Sequence, residues 1–159
     1  DTLTQGIKGA VPAVTLLALA YSINALSKSM GTANYIVSLS ESFLTPMLLP
    51  AIIFVISAIM AFATGSSWGT FAICMPIALP LAFAFTDGQL GTLVYACFGA
   101  VAGGGVFGDH CSPLSDTTVL SSTGSAADHI DHVQTQLPYA LCCGALAVVL
   151  YLLIGFFAL

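Results

Sequence analysis

The chain has 159 residues, 58% hydrophobic and 6% charged, with a formal charge of −5 and a mean hydropathy of +1.01. A soluble domain carries about 25% charged residues, so two lysines and seven acidic side chains cannot cover a soluble globule of this size, and so apolar a chain is not a disordered one. With Lys8 and Lys28 as its cationic side chains and no arginine, nucleic-acid binding is excluded too; what remains is a protein dissolved in lipid.

A helix crossing the bilayer core, about 30 Å thick, needs about 20 apolar residues. Stretches free of Asp, Glu, Lys and Arg cover 9–27, 42–86, 88–108 and 133–159. That is room for about four or five crossings in one domain. Residues 9–27 read as a first transmembrane helix. Pro12 lies near its start, where first-turn N–H groups lack partners anyway, and Ser22 and Asn24 are expected to face other helices. One lysine lies on each side of this helix, so the positive-inside rule gives no orientation. Residues 28–45, mixed in character around Gly31, Asn34 and Glu41, read as an interfacial connector.

The next uncharged run, 45 residues long, holds about 67 Å of helix. It is interrupted by Thr64-Gly65-Ser66-Ser67-Trp68-Gly69-Thr70, and Pro46, Pro50, Pro76 and Pro80 lie in its two arms. Two full passes and a re-entrant hairpin both return the chain to the side it left. Only the depth of 64–70 separates them. Asp87-Gly88-Gln89 is a surface turn, and residues 90–107 form an apolar helix rich in small residues. Small residues let helices approach closely in lipid, so this helix is expected inside the bundle. It runs into Gly108-Asp109-His110-Cys111-Ser112-Pro113-Leu114-Ser115-Asp116-Thr117-Thr118. A serine-rich segment continues to Ala127, 128–137 is a polar connector, and Pro138 opens a last helix to Leu159.

The start at Asp1-Thr2-Leu3 without Met, and the stop inside the apolar Phe157-Ala158-Leu159, are expected of a piece of a longer transporter or channel. Membrane helices normally exit into polar or basic flanks. Cys74, Cys97, Cys111, Cys142 and Cys143 lie in or beside apolar runs without paired CxxC spacing, and read as free, helix-packed thiols.

Three constellations have the composition for chemistry. In 108–118 a proline, glycine and two aspartates interrupt an apolar helix. Non-helical backbone at membrane depth is tolerated where protein buries it or water lines it, and broken helices offer transporters carbonyls and helix ends for ions. Asp109 and Asp116 would add charge, and Ser112, Ser115, Thr117 and Thr118 neutral oxygens, a hard donor set for a hard cation. The plainer reading has Asp109 ending one helix beside water and Ser115 or Asp116 capping the next. In 64–70 the hydroxyls are either a surface loop with Trp68 as interfacial anchor or a hairpin tip facing the broken helix. The third set, His110, Cys111, Asp128, His129, Asp131 and His132, includes a His-x-x-His spacing but lacks a second spaced pair, and a closed zinc site needs four ligands. It reads as a solvated polar turn, with no transition metal. No nucleophile elbow, P-loop or dinucleotide fingerprint occurs, so no enzyme is expected.

The strings Gly108 to Thr118 with Leu120-Ser121-Ser122-Thr123-Gly124, Asp128 to Leu141, and Thr64 to Thr70 closely resemble the motifs of the NhaC-type sodium/proton antiporters. The resemblance spans most of 9–159, and family members are much longer, so this chain would be an internal or C-terminal part. It implies an all-α integral membrane protein, half of an inverted-repeat transporter with a re-entrant hairpin and a discontinuous transmembrane helix. On that pattern 46–85 is the hairpin with its tip at 64–70, 90–127 the helix broken at 108–118, and 138–159 a scaffold helix.

The mechanism so implied is competition between Na⁺ and H⁺ at one carboxylate. Burial disfavours a carboxylate's charged form and lets it take a proton, while Na⁺ favours the ionised form. Alternating access then carries the site across the membrane. Asp116 is the first choice for that carboxylate because Ser115, Thr117 and Thr118 surround it in sequence. Asp109 is second, as partner or relay, Ser112 adds a further oxygen, and Ser66, Ser67 and Thr70 complete the shell from the hairpin. Na⁺ and H⁺ are then cargo, with no cofactor. The expected partners are the lipid bilayer, the missing N-terminal repeat and a second copy in a homodimer, and the expected place is a prokaryotic inner membrane. Two alternatives stand beside this: an exchanger of organic acids such as malate and lactate coupled to Na⁺ and H⁺, and a membrane fragment that transports nothing.

Overall fold

The computed structural model of the chain describes residues 45–157 and isolated positions between 3 and 30. The helix expected over 9–27 and the connector over 28–45 lie almost wholly outside the described residues. Of them, Ser22 stands in helical backbone and returns its hydroxyl to the Ala18 carbonyl at 2.9 Å. From residue 45 onward the elements are all helices: α1 Leu49–Thr64, α2 Ser67–Ala84, α3 Thr92–Cys111, α4 Asp116–Gly124 and α5 His129–Phe157.

Pro50 sits in the first turn of α1, where its missing N–H costs nothing. The helix stops at Gly65, whose φ of +65° is the left-handed conformation that glycine adopts without penalty, and whose N–H closes on the Ala61 carbonyl at 2.8 Å. The next residue, Ser66, is extended and caps α2 by accepting the Gly69 N–H at 3.2 Å. The interruption is thus two residues long, and Ser67 to Thr70 already form the first turn of α2. Sixteen and eighteen residues make arms about 24 and 27 Å long. Helices α2, α3 and α5 are long and apolar enough to cross a membrane, and α1 is a shorter apolar helix.

The glycine-rich α3 is the hub. It packs on α1, α2, α4 and α5, most extensively on α1, and it is the most buried of the three long helices. Gly104 lies against the Phe54 carbonyl and Ser57, and Gly108 against the Ala58 carbonyl and the Phe62 nitrogen. A Cβ at either would strike backbone, so the helices meet main chain to main chain. Beside this seam Phe54 packs on Phe107 and Tyr151, with ring centroids 5.9 and 5.4 Å apart, which ties α5 into the same core.

The boundary of α5 differs from the expectation. Residues 129–137, read as a connector, are helical, and Pro138 lies inside the helix. Asp128 is the reason: one carboxylate oxygen accepts the Ile130 and Asp131 N–H groups at 2.9 and 3.1 Å, starting the helix ahead of the proline. The 29 residues make a helix of about 43 Å, longer than the hydrocarbon core, so its polar first turns need not enter lipid.

The seam makes a direct prediction. In the full-length protein, Gly108→Ala destabilises by about 1–3 kcal/mol through overpacking. At Gly124 nothing lies within 4 Å of the added Cβ, so Gly124→Ala stays within about 0.5 kcal/mol. Thermal unfolding in detergent compares the two, and equal midpoints would refute the seam.

Candidate functional site

The chain breaks between α3 and α4 in a four-residue turn. The Ser112 N–H reaches back to the Asp109 carbonyl at 3.0 Å, and the Ser115 N–H to the Ser112 carbonyl at 3.3 Å. Ser112, fully buried, accepts the Leu114 N–H at 3.1 Å and donates its hydroxyl to the Phe62 carbonyl of α1 at 2.7 Å. The tip of the α1–α2 hairpin closes on the same turn. A Cβ on Gly65 would lie 2.7 Å from the Leu114 carbonyl carbon and 2.9 Å from the Ser115 nitrogen. Glycine is therefore required there twice, for its conformation and for its contact.

This turn builds a buried carboxylate. Asp109, in the last turn of α3, is 8% exposed, and Ser115 is fully buried. The Ser115 hydroxyl donates to Asp109 Oδ1 at 2.6 Å, a short hydrogen bond. Its single proton is then committed, so Ser115 accepts from the Thr117 hydroxyl at 2.7 Å and the Thr117 N–H at 3.2 Å. Ser115 is at once the N-cap of α4 and the partner of the aspartate. Among the described residues Asp109 Oδ2 has no hydrogen-bond partner, which leaves lone pairs for a cation or a proton.

A second set of polar contacts holds the turn from the other side. The His110 carbonyl accepts the Thr118 hydroxyl at 3.2 Å and Gln136 Nε2 at 2.8 Å. His129 Nε2 donates to the Pro113 carbonyl at 2.8 Å, since that oxygen can only accept, and Nδ1 pairs with the Ser122 hydroxyl at 3.1 Å. Sequence reasoning missed His129 and Gln136, placing both in a solvated connector. The one available signal was the capping Asp128, which makes the segment helical and gives these side chains fixed directions.

The predicted residues therefore separate. Asp109, Ser115 and Thr117 come together around one carboxylate, while Ser112 and Thr118 brace the turn that carries it. Asp116 is exposed in the first turn of α4, outside this cluster. Ser66 and Thr70 keep their hydrogen bonds within the hairpin tip, Thr70 donating to the Ser66 carbonyl at 3.0 Å. Ser67 is half-buried beside them. Among the described residues no group of three or more His, Cys, Asp or Glu is placed to hold a metal.

A carboxylate at a break in an apolar helix has the chemistry to hold a cation or a proton. The model of the Na⁺/H⁺ antiporter family matches residues 1–156. The chain belongs to that family. It is 46% identical over 151 residues, 95% of its length, to an uncharacterized protein of Haemophilus influenzae, and covers 28% of that relative. It is 32% identical over 158 residues, 99% of its length, to the arginine/ornithine antiporter ArcD of Halobacterium salinarum, covering 32% of it. It is 30% identical over 156 residues, 98% of its length, to the malate-2H⁺/Na⁺-lactate antiporter of Bacillus subtilis, again covering 32%. The chain thus spans roughly three-tenths of the length of these relatives. No solved structure matches it.

The brace at His129 is testable. In the full-length protein, His129→Ala leaves the Pro113 carbonyl without its donor and costs about 1–3 kcal/mol; denaturant unfolding measures it. A variant as stable as the parent would show that His129 does not hold the turn.

Proposed function

We propose that the full-length protein exchanges Na⁺ for H⁺ across a prokaryotic cell membrane by competition at Asp109. The observation that supports this reading is the carboxylate at 8% exposure, paired with a fully buried serine hydroxyl and, among the described residues, not with a lysine. A carboxylate in this position can be neutralised either by a bound cation or by a proton. Na⁺ and H⁺ supply those two alternatives, so binding of one expels the other. Thr117, whose oxygen keeps its lone pairs while its proton goes to Ser115, adds a neutral oxygen suited to a hard cation. Asp116, the first choice from sequence, moves behind Asp109 because it is exposed and outside the cluster.

On this reading α1 and α2 are a re-entrant hairpin and α3 and α4 a discontinuous membrane helix. The remaining seven-tenths or so of the relatives' length would supply the inverted repeat. Gly65 against Leu114 and Ser115 is the contact through which the hairpin and the broken helix would move as one body in alternating access.

A second reading is an exchanger of organic or amino acids, favoured by what two of the relatives are named to carry. The chain has no arginine, so a substrate carboxylate would rest on hydroxyls and helix N-termini. Flux assays with malate, lactate and arginine against Na⁺ alone separate the two.

In vesicles containing the full-length protein, an imposed Na⁺ gradient drives proton movement in the parent. Asp109→Asn lowers the exchange rate by roughly 100-fold, the equivalent of about 3 kcal/mol of lost cation binding, whereas Asp116→Asn stays within about threefold, as for an exposed charge. Retained exchange in the folded Asp109→Asn protein would refute the assignment.

A further inference from the structure

The Asp109 cluster does not end at Thr117. Thr117 also lines a pocket of about 220 Å³, together with His110, Thr118, Ser121, His132 and Gln136. Asp109, Ser115 and Thr117 are joined by contacts of 2.6 and 2.7 Å, so one hydroxyl belongs both to the carboxylate's shell and to the pocket wall. Each residue of this wall carries a polar group on its side chain, in contrast to another groove of the bundle, between α1 and α2, where Ser57 is the one oxygen-bearing side chain in an otherwise aliphatic and sulfur lining.

We propose that this pocket is a water-filled vestibule through which Na⁺ and protons reach Asp109, with Thr117 as the connecting hydroxyl. Three observations carry it. The His110 and His132 rings and the Ser121 hydroxyl, which make no hydrogen bond among the described residues, would cost free energy against lipid, and water satisfies them. The pocket has room for several waters. Its lining holds no lysine or arginine, while Asp116 and Asp131, exposed, adjoin Thr117 and His132 in sequence, so the local field draws cations. Gln136 and Thr118, donating to the His110 carbonyl, keep the wall in register with the end of α3. The proposal rests on Asp109 being the exchange carboxylate and adds the route by which that site is supplied.

The test uses the full-length protein with its native cysteines replaced, in membranes, and a charged, water-soluble thiol reagent. Ser121→Cys and Gln136→Cys in the wall are compared with Leu120→Cys, an exposed apolar neighbour on α4. Thiols react as thiolates, which form where water reaches them, so the two wall positions should label about tenfold faster than position 120. Equal rates at all three overturn the vestibule: uniformly slow means another segment seals the pocket, uniformly fast means α4 lies in water as a whole. Thr117→Val should slow Na⁺-driven exchange about tenfold, with Thr117→Ser restoring it, as expected when one hydrogen-bonded hydroxyl is removed and returned. Undiminished exchange in Thr117→Val breaks the proposed link. Asp109→Asn separates the two ideas: exchange lost with the labelling pattern kept supports both, and exchange kept rejects the carboxylate while the labelling still reports on the pocket.

Discussion

Gly104 and Gly108 bring the backbone of one helix against the carbonyls of Phe54 and Ala58 on another, and the position of every functional group depends on that contact. Lipid offers helices no hydrophobic drive to associate, so close packing and hydrogen bonding must hold them. Main-chain contact at the two glycines fixes the height of α1 against α3. It thereby sets the Phe62 carbonyl opposite Ser112 and Gly65 opposite Leu114 and Ser115. The break in the membrane helix is consequently a defined turn, with its freed polar groups paired by Ser112, Ser115, Thr118, His129 and Gln136.

A turn so thoroughly satisfied leaves its demand at one place. The hydroxyls of Ser112, Ser115, Thr117 and Thr118 are paired, and among the described residues Asp109 Oδ2 has no protein partner. On the exchange proposed above, that oxygen is where Na⁺ or a proton would be held, and the rigid turn would present it unchanged to either occupant.

Much of this was legible in the residues. The apolar runs announced helices, and the Gly-Asp-His-Cys-Ser-Pro string announced the break, because glycine and proline with polar side chains cannot continue a helix unaided. The restart offered Ser115 or Asp116 as its cap, and Ser115 is the residue that caps it. What stayed hidden were the distances between segments. Asp116 looked central in sequence, being flanked by Ser115 and Thr117, yet a helix turns each successive side chain by about 100°, and Asp109, six residues back, is the one that meets Ser115. His129 lies sixteen residues from Pro113, and its role exists only once α5 is placed. Pro138 was misleading because proline starts helices, whereas the Asp128 cap had already started this one.

The central claim is that one buried carboxylate holds either Na⁺ or a proton. Calorimetric titration of Na⁺ into the full-length protein, in buffers of different ionisation enthalpy, counts the protons released on binding. The account predicts release of about one proton per Na⁺ at a pH where the site is protonated, and no release in Asp109→Asn. Na⁺ binding without proton release across the acid-to-neutral range, or unchanged release in Asp109→Asn, would contradict it.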